Sequence, residues 1–152
     1  MQQEDLEPPQ IPSDTRYQGR TQAEWEADLQ DLDPKVKRKA AEAMGHFGPS
    51  AIPALSQVLQ DADASTSFGA ILALKRIGLA AIPALNEILR DTNYPGRRFA
   101  AAVLGEMGPT AKDAVPTLVQ ALRDTDPSLR MAVAEALGRI GPSANDAVQA
   151  LV

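Results

Sequence analysis

The stretch Asp31–Gln60, DLDPKVKRKAAEAMGHFGPSAIPALSQVLQ, returns three more times along the chain. DADASTSFGAILALKRIGLAAIPALNEILR follows as residues 61–90, DTNYPGRRFAAAVLGEMGPTAKDAVPTLVQALR as 91–123, and DTDPSLRMAVAEALGRIGPSANDAVQALV as 124–152. Asp31, Asp61, Asp91 and Asp124 mark the starts. Gly48, Gly78, Gly108 and Gly141 recur in step with them, as do Pro53, Pro83 and Pro116. The three extra residues of the third and fourth units fall between the glycine and proline columns, so they map to a turn and not to a packed helix. Each unit reads as two helices. In the first, Val36, Ala40, Ala43, Met44 and Phe47 recur at helical spacing over residues 34–45. Asp33 stands before Pro34 as an N-cap with proline at the first helical position, and Asp126-Pro127 repeats the arrangement. Gly48 stops that helix and Pro49 prevents its continuation. The second helix starts near Ser50 and carries Ile52, Leu55, Val58 and Leu59 on one side. Pro53 lies in its first turn, where a missing amide has no intrahelical acceptor to lose. One apolar stripe per helix cannot be buried within a single pair, whereas stacked pairs bury it continuously. Residues 31–152 are therefore expected to form an all-α solenoid of about three and a half helix pairs, divided 31–60, 61–90, 91–123 and 124–152.

Ahead of the repeats, Thr21-Gln-Ala-Glu24 is a capping box that opens a helix carrying Trp25 and Leu29. Residues 20–30 are expected to be a cap helix over the open face of the first unit. Residues 1–19, acidic and with prolines at Pro8, Pro9 and Pro12, read as a disordered acidic leader. Charge divides the chain in the same way. Seven acids and two bases lie in residues 1–30, whereas residues 31–152 hold 13 of each. A neutral repeat region argues against a nucleic-acid binder that works by phosphate neutralisation. Alanine supplies 26 of the 152 residues, against six aromatics, and small side chains let helices approach closely. The absence of cysteine excludes a disulfide framework, thiolate metal sites and thiol catalysis. No run of about 18 apolar residues exists to span a bilayer, and the polar start is unlike a secretory signal. The expectation is a cytoplasmic protein without a membrane.

The unit D-x-D-P-x-V-K-x-x-A-A-E-A-x-G-x-x-G-P-x-A-x-P-A-L resembles the short bacterial HEAT repeats first associated with phycobilisome lyases. The resemblance covers Asp31–Val152, and all four units carry it. It implies a right-handed, armadillo-like superhelix acting as a protein-binding scaffold or, in a minority of relatives, assisting bilin attachment. It also implies a ladder between neighbouring units, made by an aspartate and a basic residue six positions on. The matching pairs are Asp31 with Lys37, Asp91 with Arg97 and Asp124 with Arg130. Unit two departs, because Asp61 faces Ser67, Phe68-Gly69 replaces Arg38-Lys39, and Leu79 replaces the proline after the glycine. The ladder is expected to be interrupted there.

Candidate chemistry is sparse. The single histidine, His46, falls in a turn column shared with Arg76, Glu106 and Arg139, a solvated position with no second histidine or cysteine to share a metal. The G-x-x-G of Gly45–Gly48, Gly105–Gly108 and Gly138–Gly141 follows a helix and lacks the P-loop lysine, so helix termination explains it. The basic run Pro34–Lys39 interleaves with core positions Val36 and Ala40 and reads as a solvated face. The acids sit at cap and loop positions, and no Ser/His/Asp set can be assembled around one histidine. No enzymatic activity, cofactor or metal is expected.

What remains is surface. In such solenoids the second helices are expected to line the concave side, presenting the columns Ser56, Asn86 and Val119; Gln57, Glu87 and Gln120; and Gln60, Arg90 and Arg123. These polar, amide-rich positions suit a peptide or a protein face. Phe68, Tyr94 and Phe99 replace charged or small residues on the first helices. They are either anchors for a partner on the convex side or fillers of space beside Gly69 and Gly96. The apolar end Ala150-Leu151-Val152 points to a third role, self-association through an uncapped terminus. The leading expectation is a non-catalytic scaffold for another protein.

Overall fold

The computed structural model describes residues 15–60 and 63–150. A short hairpin, β1 (Arg16–Tyr17) with β2 (Arg20–Thr21), runs into α1 (Gln22–Asp28). Helix pairs follow: α2 (Pro34–Met44) with α3 (Ile52–Val58), α4 (Ala64–Ile77) with α5 (Ile82–Arg90), α6 (Arg97–Met107) with α7 (Val115–Ala121), and α8 (Pro127–Ile140) with α9 (Pro142–Ala150). Each pair is one of the four sequence units, and the chain is an all-α stack of helix pairs apart from the hairpin.

Local chemistry sets the helix boundaries. Asp33, Asp63 and Asp126 each accept hydrogen bonds from backbone amides of the first turn they precede, so the orphan donors of α2, α4 and α8 are satisfied. Thr21 and Glu24 form the reciprocal capping box of α1. Gly48, Gly78, Gly108 and Gly141 all have φ between 60° and 83°, a region that a side chain disfavours, and the chain turns there from first helix to second. The start of α7 lies three residues further past its glycine than the starts of α3 and α5 lie past theirs, so the insertion falls in the turn as the alignment requires.

Packing explains the alanine content. Ala40, Ala70, Ala100 and Ala101 are wholly buried between first helices, while Leu55, Leu85 and Leu118 fill the space between first and second. Close backbone approaches lie along the row of first helices. A Cβ on Gly45 would stand 2.8 Å from the Cα of Ala73, and one on Gly105 would stand 2.9 Å from the Cα of Ala136. On Gly69 it would stand 2.7 Å from the carbonyl oxygen of Arg38. Thus α2 nests on α4 and α6 on α8 backbone to backbone. The equivalent of Gly45 in the second unit is Lys75, and α6 stacks on α4 less closely. The row of second helices is in looser contact throughout.

Two expectations need correction. Residues 15–19 are not part of a disordered leader, because they form the hairpin that packs on α1; residues 1–14 lie outside the described residues. The 64–90 stretch is apolar enough, by composition, to suggest a membrane span, but Gly78 breaks it into α4 and α5, each shorter than the roughly 20 residues a span needs. The ladder link at Arg97 runs between neighbouring units, as the resemblance implies, and not to Asp91 of its own unit. Arg97 forms its ion pair with Asp124 of the following unit at 2.7 Å and also donates to the carbonyl of Leu89. The Asp63 carboxyl of the next unit is held below its usual range chiefly by the Thr66 hydroxyl, with Lys37 adding to it across the unit boundary. Arg130 instead donates to the carbonyls of Asp124 and Thr125. The link is forward because the basic residue sits in the first turn of a helix whose neighbour begins one layer on. Asp61, where interruption was expected, lies outside the described residues, as do Leu151 and Val152 of the uncapped end.

Candidate partner-binding faces

The hairpin and α1 build one wall of a groove. Gln18 and Gly19 both have positive φ, which suits a two-residue turn and brings Tyr17 back over α1. The indole N–H of Trp25 donates to the Tyr17 carbonyl at 3.2 Å, and Trp25 is buried. On the other side of Tyr17, the ring of His46 stacks at 3.7 Å between centroids, tilted by 10°. Arg20 lies 4.2 Å above the Trp25 ring and is fixed by Asp28 at 2.6 Å. The side chains of α2 and α4 complete the groove, which has a volume of about 730 Å³. Tyr17, Trp25, Lys39, His46, Leu72 and Arg76 are among its lining residues.

Electrostatics in this groove is uneven. Burial, with Arg76 adding to it, pushes the His46 imidazole below its ordinary pKa, so the stacked ring is neutral near pH 7. Glu42 is engaged by Arg38 at 2.9 Å. Lys75 reaches Glu106 at 3.3 Å, and Glu106 also pairs with Arg139, which holds Glu135 in turn. This chain of ion pairs runs across the first helices of units two, three and four. Among the described residues, Lys39 and Arg76 have no carboxylate within ion-pair distance.

The opposite side, made by second helices, holds two shallower hollows. One, of about 490 Å³, is lined by Ser56, Gln57, Gln60, Glu87 and Tyr94. The other, of about 260 Å³, has Arg90, Gln120 and Arg123 at its edge, with Arg90 donating to Thr117 at 3.0 Å. Of the columns expected to be exposed here, Gln57, Glu87 and Gln120 are, as are Gln60, Arg90 and Arg123. Ser56, Asn86 and Val119 are instead half-buried, with the side-chain oxygens of Ser56 and Asn86 enclosed and unpartnered. The column falls toward the neighbouring helix because it lies one position after the buried leucine of each second helix.

The sequence alone presents Lys39, Leu72 and Arg76 as ordinary column members. One signal was available: Leu72 is the large apolar member of a column otherwise holding Glu42, Ala102 and Glu135, and it is exposed.

The aromatics divide. Tyr94 is half-buried and donates its hydroxyl to the Ser56 carbonyl of unit one. Phe99 packs on the core beside Arg98. Phe68 stays 48% exposed under the guanidinium of Arg38. Tyr94 lies beside Gly96, where an added Cβ would meet its ring at 2.9 Å, whereas Gly69 is a site of close approach to the Arg38 carbonyl.

No curated protein matches the chain. A crystal structure of an engineered protein is similar over 85% of this chain and 67% of its own, with 22% identity and a TM-score of 0.48. The family model described as HEAT repeats matches residues 23–103 and again 82–152, two overlapping stretches that together take in α1 and every helix pair. With four stacked helix pairs in the same register as that match, the chain belongs to the HEAT repeats family.

Proposed function

We propose that this chain is a non-catalytic scaffold that holds another protein on the face made by its first helices. The observation that carries the reading is the groove between α1, α2 and α4, where an exposed leucine and two cations without ion-pair partners lie beside a stacked Tyr17–His46 wall. Solvent-facing apolar surface beside uncompensated charge is what a protein interface covers. HEAT repeats commonly mediate protein binding, which supports the class of function while leaving the partner to experiment. The single histidine is stacked on Tyr17, and among the described residues no cluster of His, Cys, Asp or Glu is placed to hold a metal.

Charge reversal separates the two faces. Capture from native lysate is compared for the parent chain, for Lys39→Glu with Arg76→Glu, and for Arg90→Glu with Arg123→Glu. The groove double variant is expected to lose a stoichiometric partner that the second-helix variant retains, with the helical signal unchanged in both. Loss only in the second-helix variant moves the partner to the opposite face and removes this proposal.

A further inference from the structure

The side chains around the groove fix the chemistry of what would fit it. Leu72 lines the groove from α4 and is 37% exposed, an apolar side chain open to solvent one turn after the exposed Phe68. Lys39 flanks it from α2, 5.9 Å from the Trp25 ring, and Arg76 flanks it from α4 one turn beyond. The carboxylates nearest the groove are already committed, Glu42 to Arg38, Asp28 to Arg20 and Glu106 to Lys75 and Arg139. What is missing from the groove is therefore negative charge on both flanks and an apolar side chain between them.

We propose that the groove between α1, α2 and α4 takes an acidic peptide segment in which one aliphatic side chain lies between carboxylates. The aliphatic group covers Leu72 against the Tyr17 ring, and the carboxylates meet Lys39 on one side and Arg76 on the other. Charge complementarity selects the acid, since among the described residues neither cation has a carboxylate within ion-pair distance. The surroundings select a peptide over a polyanion. Glu42 lines the groove, and 13 acids balance 13 bases over residues 31–152, so an extended phosphate backbone meets repulsion once it leaves the two cations. This inference rests on the scaffold reading above and specifies the ligand of the same groove.

The test is fluorescence anisotropy with a labelled synthetic peptide, Gly-Ser-Asp-Glu-Leu-Glu-Asp-Ser-Gly, on the full chain. It is run in parallel on a variant with Glu4→Gln, Asp5→Asn and Glu7→Gln, because that stretch of the chain has the same chemistry as the probe. Saturable binding is expected, weakened about tenfold by Lys39→Glu or by Arg76→Glu and unchanged by Arg123→Glu on the opposite face. Leu72→Ser, and a probe with serine in place of leucine, are each expected to weaken it several-fold. A probe carrying Asn and Gln in place of its acids should not bind. Should Arg76→Glu lower the helical signal, Arg76→Gln replaces it. Binding that ignores the reversals, equal binding of the amide probe, displacement by polyphosphate at equal charge, or no binding at all overturns the proposal. If the peptide fails while the groove variant still loses its partner from lysate, the scaffold reading stands and only the acidic ligand falls.

Discussion

Glycine at residue 45 is there for a neighbour and not for its own helix. Its φ is helical, so alanine would fit the local backbone and favour the helix. The added methyl would nevertheless meet the Cα of Ala73 at 2.8 Å, a backbone atom that cannot turn aside. Gly105 meets Ala136 in the same way, whereas a Cβ on Gly138, the same column in the fourth unit, has nothing within 4 Å among the described residues. The sign of one substitution is thus expected to change along the column. Gly45→Ala and Gly105→Ala should destabilise by about 1–3 kcal/mol through overpacking, and Gly138→Ala should stabilise by about 0.5–1 kcal/mol through backbone entropy. Urea denaturation of the three variants checks this, and a uniform sign would refute the backbone contact. Asp124 gives a second test at this scale. The Asp126 amide, and then Arg97, hold its carboxyl below the usual range. Its contribution is present above the ordinary carboxylate pKa of about 3.9 and disappears as pH falls through the lowered folded value. Asp124→Asn should therefore cost stability at neutral pH and progressively less as pH drops through that window, measured by thermal unfolding across the range.

Among the elements, the repeat helices were legible because period, caps and glycine terminators agree on the same boundaries. Asp33-Pro34, Asp126-Pro127 and the capping box at Thr21 each fixed a helix start within a residue or two. The hairpin was missed for a physical reason. Two-residue strands leave no hydrophobic period to read, and their order comes from Tyr17 packing between Trp25 and His46, contacts that exist only once α1 and α2 have met. The groove was missed with it, since the hairpin is one of its walls. The direction of the ladder was also beyond a single-unit reading, because spacing within a unit cannot say which layer an arginine reaches. The structure places Arg97 between two elements, with its pair to Asp124 only 13% and 14% exposed and a second bond to the end of α5. Arg38 and Glu42 make an exposed pair within α2. Arg38→Ala is expected to remain within about 0.5 kcal/mol of the parent, while Arg97→Ala unlinks α5, α6 and the start of unit four and should cost several times more. Equal losses in chemical denaturation would show that the inter-unit link adds nothing.

At the scale of the whole stack, stability is a sum of nearest-neighbour interfaces, and these are unequal. Units one and two meet through Gly45 and Gly69, units three and four through Gly105, but Lys75 keeps α4 and α6 from the same approach. The middle interface is held instead from the other side. Gly96 brings the loop before α6 against the Leu59 carbonyl, and Tyr94 in that loop donates to the Ser56 carbonyl, so the entry to unit three is tied to unit one as well as unit two. A weaker helix stack, crossed by the Lys75–Glu106 ion pair and bridged by Tyr94, makes a specific expectation for cooperativity. The parent chain should unfold as one unit, because the Tyr94 contact couples the halves across the poorer helix stack. Tyr94→Ala removes the hydroxyl bond and the ring together, and should split hydrogen exchange into two blocks, residues 22–90 and residues 97–140, that open with different free energies. Tyr94→Phe keeps the ring and should preserve a single transition at lower stability. If Tyr94→Ala still exchanges as one block, the coupling passes through α4 and α6 despite Lys75, and the joint is not the weak point of the stack.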